Sequence, residues 1–553
     1  MEEVAIRDGN QIPAGTTIEA DVCIIGGGPA GITVALELAK SSVNVVLLES
    51  GGLKDDPEPQ ELNAGTNTGL DYYALDETRF RVLGGSSDRW AGWCRRMDRS
   101  DFDARSWVDT TGWPIAYDDM LPFYRVAARL CQLDTLDPEP PDPEGLSPVY
   151  RTPFVGNDVE IATWQGSPPT KFGRVYRPDL ESATNVTVLT HTTANEIMTN
   201  EDGVRATGAV AISGAGTTFT VTAPTVVLCA GAVETARLLL ASRSSRPAGL
   251  GNDHDLVGRY FMEHPHLVTA RLRLLPPGTS GRPPLDPIDR GFLGTRARLA
   301  MQRPTGSAKV AYIIAEERRR SEEMLNFSTH IRTVSTVSRE DSEAYQAFKL
   351  VANNMRSPRE MVAQARSGAI PEGASEQLRR IAVGAPEIAR VIYQEALKRP
   401  KELALYTQSE QVPNPSSRVV LDDTQVDASG LPRVQLHWQL SEIDKASISR
   451  AHAILGQQFA QSGLGELIPD PAFENDGPDW GPGLRGGHHH MGTARMADDP
   501  RHGVVNKHGR VHSVHGLYVG DSAVFATGGY ANPLLTLVAL AARLGGHLKR
   551  TLA

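Results

Sequence analysis

The stretch that decides the fold is ADVCIIGGGPAGITVALELAK, residues 20 to 40. Val22 to Ile25 is a short apolar run without polar alternation, as in a strand covered on both faces. A glycine turn follows. Beyond it Ile32, Val34, Ala35, Leu38 and Ala39 can form one apolar face of a helix, which predicts packing on a sheet. VVLLESG, residues 45 to 51, reads as a second buried strand. The turn has the spacing G-x-G-x-x-G: Gly26 permits the tight bend, Gly28 lets a pyrophosphate approach the backbone, and Gly31 lets helix and strand pack closely. The helix N-terminus adds unpaired N–H donors and positive potential at the same place. Glu49, ending the second strand, is placed to accept hydrogen bonds from adenosine ribose hydroxyls and to repel a 2′-phosphate. Together these predict an α/β domain that binds a dinucleotide; the alternative is a glycine-rich turn in an ordinary α/β sheet.

With 553 residues, 40% of them apolar, the chain can bury a large core arranged in two or more domains or one two-domain body. Its 56 basic and 66 acidic residues leave a net charge of −10, which argues against a nucleic-acid partner. The N-terminus MEEVAIRDGNQIPAG is acidic and has no apolar h-region, and no apolar window of about 18 residues follows. A cytoplasmic protein without a membrane span is expected. Cys23, Cys94, Cys131 and Cys229 are too scattered for a disulfide framework or metal knuckle, and Cys23 and Cys229 lie in strand-like runs where they should be buried and inert.

RFRVLGGSSDRWAGWCRRM, residues 79 to 97, holds Gly84, Gly85, Ser86 and Ser87 in a donor-rich loop suited to phosphate or a flat ring. Trp90 and Trp93 offer apolar surface beside it. A surface turn with two core tryptophans is the competing reading. TAPTVVLCAGAVETARLLLASRS, residues 222 to 244, reads as an architectural strand, turn and helix. Near the C-terminus, Leu517 to Val519 reads as a strand with Asp521 at its edge. Asn532 is a plausible N-cap, and Pro533 suits the first position of a long apolar helix.

GGHHHMGTARM, residues 486 to 496, presents three consecutive histidines. In an extended chain they would alternate sides and would not converge on one ion, and no carboxylate stands at a familiar metal spacing, so no metal is expected. His488 and His490 should point away from His489 and pack or hydrogen-bond within the protein.

The glycine motif with Glu49, the RVLGGSSxxW loop, HHMGTARM and the GLYVGDSAVF…NP ending, in this order, resemble the glucose-methanol-choline (GMC) oxidoreductase family. DLVGRYFMEHPH (255 to 266) and EQVPNPSSRV (410 to 419) extend the resemblance. It implies an FAD-dependent oxidoreductase of alcohols, with His489, three residues before Gly492, as general base and Asn532 as its partner on the substrate hydroxyl. The base would take the hydroxyl proton while flavin N5 takes the hydride. The helix headed by Asn532 would stabilise charge at the flavin C2 carbonyl. Cofactor contacts would come from Gly26, Gly28, Gly31, Glu49, Gly84, Gly85, Ser86, Ser87, Trp90, Asp521 and Pro533. Relatives that link the flavin covalently carry a histidine just before the loop tryptophan; here that position is Arg89, so non-covalent FAD is expected.

The same resemblance implies an α/β fold: a Rossmann-like FAD-binding domain from residues 15–160, 180–260 and 480–553, and a discontinuous antiparallel-sheet-plus-helices substrate domain from 261–330 and 400–480. LVTARLRL (267–274) and LPRVQLHWQL (431–440) alternate with period two, as such strands should. His437 falls on the face opposite Val434 and Leu436, either lining a pocket or lying on the sheet surface. Residues 341–400 read as short amphipathic helices: a lid, a subunit contact or a helical layer. DPEPPDPEGLSP (137–148) reads as an exposed connector. Within the family the chain looks most similar to bacterial sugar and glycoside oxidases and dehydrogenases of the pyranose-oxidase-like branch. The expected substrate is therefore a pyranose or glycoside oxidised at a secondary hydroxyl, C2 or C3. Another polyol or a non-sugar alcohol is the alternative. The electrons would pass to O2 or a quinone-type acceptor, and monomer and homo-oligomer stay open. A nicotinamide-dependent dehydrogenase or a non-catalytic flavoprotein would share only part of these features.

Overall fold

Val22–Ile25 and Val45–Leu48 are strands buried along their whole length, as their unbroken apolar character requires. They lie at the centre of a six-stranded parallel sheet in a computed structural model that describes residues 5–108, 112–133, 157–274, 308–333, 403–463, 465–474, 477–481 and 483–552. The strand order is Ile6–Asp8, Val186–Thr190, Val45–Leu48, Val22–Ile25, Thr225–Leu228 and Leu517–Val519. The helix Pro29–Leu38 packs against the C-terminal helix Leu534–Leu552, which also packs against Tyr117–Leu130. A sheet strand from residues 22 to 25 therefore lies beside one from residues 225 to 228, and next to that one from 517 to 519. One core is closed by three distant parts of the chain.

A four-stranded sheet, Thr17–Glu19, Thr218–Thr222, Ala206–Ser213 and Thr192–Thr199, flanks this body. The second large element is an eight-stranded antiparallel sheet. Its main path is Gly465–Pro469, Pro265–Leu274, Leu403–Ser409, Phe327–Thr333, Ala308–Ile314, Val159–Gly166 and Trp93–Cys94, and Arg485–Gly486 also pairs with Pro265–Leu274. The twenty-residue helix Glu442–Gln461 packs against the Gly465–Pro469 and Phe327–Thr333 strands. Its first turn is fixed by Asp444, whose Oδ2 accepts the Ser441 N–H at 2.6 Å.

LVTARLRL lies in the eight-stranded sheet as its alternation predicts. LPRVQLHWQL does not: Pro432–His437 joins a separate three-stranded sheet with Arg418–Val426 and Gly65–Asn67. The sequence-based boundaries also differ in one respect, because Trp93–Cys94 and Val159–Gly166 pair in the antiparallel sheet. Their periodicity is silent on which sheet they join. Residues 341–400 and 137–148, read as helices and a connector, lie outside the described residues.

All four cysteines are free and buried. Burial pushes the Cys23 thiol up to about 12, consistent with an inert core thiol. Among the described residues no helix is long and apolar enough to cross a membrane.

Candidate active site

The glycine turn has a division of labour that a single added carbon makes visible. Gly26 sits at φ +106°, and a Cβ there would lie 2.5 Å from the Cys229 carbonyl oxygen. A Cβ on Gly31 would lie 1.9 Å from the Gly26 oxygen. Both glycines are required by the protein's own packing. Gly28, the N-cap of the Pro29–Leu38 helix, is different: a Cβ there meets no protein atom within 4 Å. Its bareness leaves space for something other than the chain itself.

The GGSS loop folds against this turn. The Gly84 N–H donates to the Gly27 oxygen at 2.8 Å, and a Cβ on Gly85 would stand 3.0 Å from Gly28 Cα. Ser86 is exposed, whereas Ser87 is buried; its hydroxyl donates to the Gly84 oxygen and accepts the Phe172 N–H. Trp90 is half-buried, and its indole N–H donates to the Thr170 carbonyl. Ser87 and Trp90 therefore hold the loop rather than presenting a free polar group. Arg89 is exposed and ion-pairs with Asp55.

Glu49 is buried, and its two oxygens accept the N–H groups of Gly27 and Gly51, each at 2.8 Å. Each oxygen keeps a second lone pair that can face a ribose. Burial pushes this carboxyl up to about 7, against the two N–H donors and Arg81. Asp521 is also buried and raised by desolvation. It accepts the Gly231 N–H at 2.9 Å and the Thr235 hydroxyl at 2.6 Å, fixing the start of the Ala232–Ala241 helix. Gly231, like Gly28, has open space where a Cβ would be. Two helix N-termini thus flank a bare backbone surface, and this fits the pyrophosphate of FAD. Gly28 and Gly231 could receive it, with Glu49 toward the ribose.

The histidine cluster is assembled from three distant segments. His489 Nδ1 lies 2.9 Å from His264 Nδ1, and His489 Nε2 lies 3.1 Å from Asn532 Nδ2. The His266 ring stands 5.7 Å from that of His489. Asn532 Oδ1 is buried with no hydrogen-bond partner, an open acceptor beside the base. Pro533 is displaced by one residue from its expected place: the helix starts at Leu534, and the Pro533 carbonyl accepts its first bond from Leu537.

His488 and His490 do diverge from His489, though not by the alternation of an extended chain. His488 has φ +61°, which turns its exposed ring onto Tyr73, at 4.4 Å between centroids. His490 turns inward, with Nε2 at 2.9 Å from the Tyr72 hydroxyl. Among the described residues no group of three or more His, Cys, Asp or Glu is arranged to hold a metal ion.

Glu263 holds this geometry and escaped the sequence reading. It is 0% exposed. Its Oε1 accepts the N–H groups of His489 and His264, each at 2.8 Å, and Oε2 accepts the Tyr72 hydroxyl. Burial pushes its carboxyl up to about 7, opposed by these donors and by Gly487 N–H. His489 is held well below the usual imidazole range, first by desolvation and then by His264, His266, His488 and His490. The ring is therefore neutral at ordinary pH. His264 and His266 were legible in principle: in MEHPH they stand two apart at the head of a strand, on one face. Tyr72 carried no signal. His437 lies away from the cluster, its Nδ1 3.1 Å from the Thr68 carbonyl, on the three-stranded sheet.

Residues 21–254 match the family described as FAD dependent oxidoreductase, and residues 413–541 match that described as GMC oxidoreductase. A 2-methyl-1,2-propanediol dehydrogenase of Mycolicibacterium austroafricanum is 25% identical over 96% of this chain and 95% of the relative. A C-glycoside 3-oxidase of Microbacterium trichothecenolyticum is 39% identical over a shorter stretch, 24% of each chain. The solved pyridoxine 4-oxidase of Mesorbium loti shares the fold with a TM-score of 0.53 at 17% identity, covering 96% of this chain and 99% of that one. With these matches at both ends of the chain and the fold described above, the chain belongs to the GMC oxidoreductase superfamily and is an FAD-dependent oxidoreductase of CH–OH donors.

Proposed function

We propose that the enzyme oxidises a secondary hydroxyl of a pyranose sugar or glycoside, at C2 or C3, to the ketone. His489 is the base and Asn532 the second group holding the hydroxyl. The observation that carries this reading is the His489–Asn532 pair, 3.1 Å apart, with the imidazole kept neutral by burial and by its histidine neighbours. A neutral imidazole accepts the hydroxyl proton on Nε2. The Asn532 amide does not titrate, so it keeps its donor and acceptor while the proton moves. A hydroxyl inserted at this pair can give its proton to Nε2, and the amide N–H stabilises the charge that grows on oxygen. Bound FAD, held without a covalent link, supplies the acceptor for the hydride leaving carbon. Arg89 supports the non-covalent link, since it is paired with Asp55 where covalent relatives carry histidine. The reduced enzyme then passes its electrons to O2 or a quinone-type acceptor.

The sugar assignment is supported by the local likeness to a C-glycoside 3-oxidase. A second reading, a small polyol or other non-sugar alcohol, is favoured by the full-length likeness to a 2-methyl-1,2-propanediol dehydrogenase. Anaerobic mixing of the holoenzyme with glucose, methyl glucosides, a C-glycoside and 2-methyl-1,2-propanediol separates them. Rapid loss of the oxidised flavin absorption with the sugars or glycosides is expected. Bleaching by the diol alone overturns the sugar reading, and the rate of recovery in air distinguishes oxidase from dehydrogenase.

A further inference from the structure

We propose that His264 is a positioning residue that sets the tautomer of the base His489, and that the Gly528 carbonyl sets His264 in turn. This rests on the reading of His489 as the base. A carbonyl oxygen can accept but never donate. The Gly528 oxygen lies 3.3 Å from His264 Nε2, so that nitrogen carries the proton. His264 is 0% exposed, and burial brings its imidazole down to about 4, so the ring holds a single proton at ordinary pH. Its Nδ1 is then a lone pair.

His489 Nδ1 stands 2.9 Å from that lone pair. Two lone pairs at this distance would repel, so His489 carries its own proton on Nδ1 and donates it to His264. His489 is neutral as well, and its Nε2 is therefore a lone pair. That nitrogen faces Asn532 Nδ2, which is a donor. Every contact from Gly528 to Asn532 is then a matched donor and acceptor. The opposite tautomer of His489 would set a proton on Nε2 against the amide protons and leave two lone pairs facing each other at Nδ1. It would also present an N–H, instead of a lone pair, to a hydroxyl that must lose its proton.

The charged and titratable groups around the relay do not change this order. Burial first, and then His264, His266, His488 and His490, hold His489 below the usual imidazole range and so favour its neutral form. Glu410 acts on His264 from a distance, in the opposite sense to burial. Glu263 engages the backbone N–H groups of His264 and His489, leaving both rings free for the relay. His264 itself touches the base and the carbonyl, so its effect on the reaction runs through His489. A ring partner that fixes the tautomer of a functional histidine is a recurrent device, and its loss lets the ring sample the wrong state.

The test is nitrogen NMR of the FAD-loaded enzyme carrying 15N-histidine, near about pH 7.5, where an ordinary imidazole is already mostly neutral. The His489 signals are assigned by their loss in His489→Asn. In the native enzyme the relay requires a protonated-type shift at His489 Nδ1 and a lone-pair-type shift at Nε2. In His264→Leu both shifts should move toward the averaged values of a ring exchanging its two tautomers, while His264→Asn keeps an acceptor oxygen and should keep the native pattern. A native His489 protonated on Nε2 overturns the proposal, and so does a Leu variant with native shifts. If the Leu variant does not fold, the native and Asn spectra still decide. Failure of the base reading appears elsewhere, as a His489→Asn enzyme whose flavin is still reduced at the native rate.

Discussion

Around Gly26 to Gly31 the chain offers backbone, and around His489 it offers side chains. In the first region Gly26 is bare because the Cys229 backbone presses on it, Gly31 because the Gly26 carbonyl does, and Gly28 is bare beside open space. Its three glycines lie in one contiguous segment of strand, turn and helix. In the second region residues 263–266, 487–490 and 528–532 meet, and a buried carboxylate joins two of the segments. The backbone site depends on the absence of atoms. The side-chain site depends on where protons sit. One is therefore broken by volume and the other by charge or hydrogen-bond order.

The volume half of this contrast is the easiest to break. Gly31→Ala sets a methyl 1.9 Å from a carbonyl oxygen and should destabilise the fold by about 3 kcal/mol, read in urea unfolding. Gly28→Ala meets no protein atom and should change stability by less than about 1 kcal/mol. Its FAD affinity should nevertheless fall by about tenfold or more, equal to roughly 1.4 kcal/mol of binding. If both alanines destabilise alike, the distinction between packing glycine and cofactor glycine is wrong.

At the histidine cluster, His489→Ala should leave FAD bound and slow flavin reduction by about 100-fold or more, the scale of a lost general base. A native rate removes the base assignment. Glu263→Gln tests the support beneath it. The amide keeps the shape but puts an N–H where Glu263 now accepts from Tyr72 or from the His264 and His489 backbone. A loss of about 1–3 kcal/mol in stability and about tenfold in reduction rate is expected, from unsatisfied donors and a loosened base. Unchanged kinetics with lowered stability would make Glu263 a packing residue alone.

The same contrast explains what could be read from the chain. The glycine turn was legible because strand period, glycine spacing and helical spacing all lie within residues 20 to 51. Its finer contacts were less so: Ser87 and Trp90, read as cofactor groups, bond within the protein to Gly84, Phe172 and Thr170. His489 and Asn532 could be named because a family resemblance pointed to both, and their 3.1 Å approach is a matter of tertiary structure. Glu263 and Tyr72 were invisible, since a lone acid or tyrosine has no periodic signature and acquires meaning only from the atoms it meets. The divergence of the three histidines was anticipated for the wrong reason. Alternation assumes extended backbone, and His488 adopts φ +61°.

The smallest expected effect concerns pH, and it sharpens the claim that the base site is governed by proton placement. A free imidazole titrates near about pH 6.5, so between pH 7.5 and pH 6.0 it would lose roughly three-quarters of its neutral form, about a fourfold fall in rate. His489 is lowered well below that value, chiefly by desolvation and then by His264, His266, His488 and His490. A depressed pKa keeps the ring deprotonated, and so able to accept a proton, at every pH above the depressed value. Loss of the base appears only as pH falls further. Flavin reduction at saturating substrate should therefore change by less than about twofold between pH 7.5 and pH 6.0. A fourfold fall centred near the ordinary imidazole value would mean that His489 is solvated in the working complex. The burial and the ring of histidines around it would then have no part in keeping it a base.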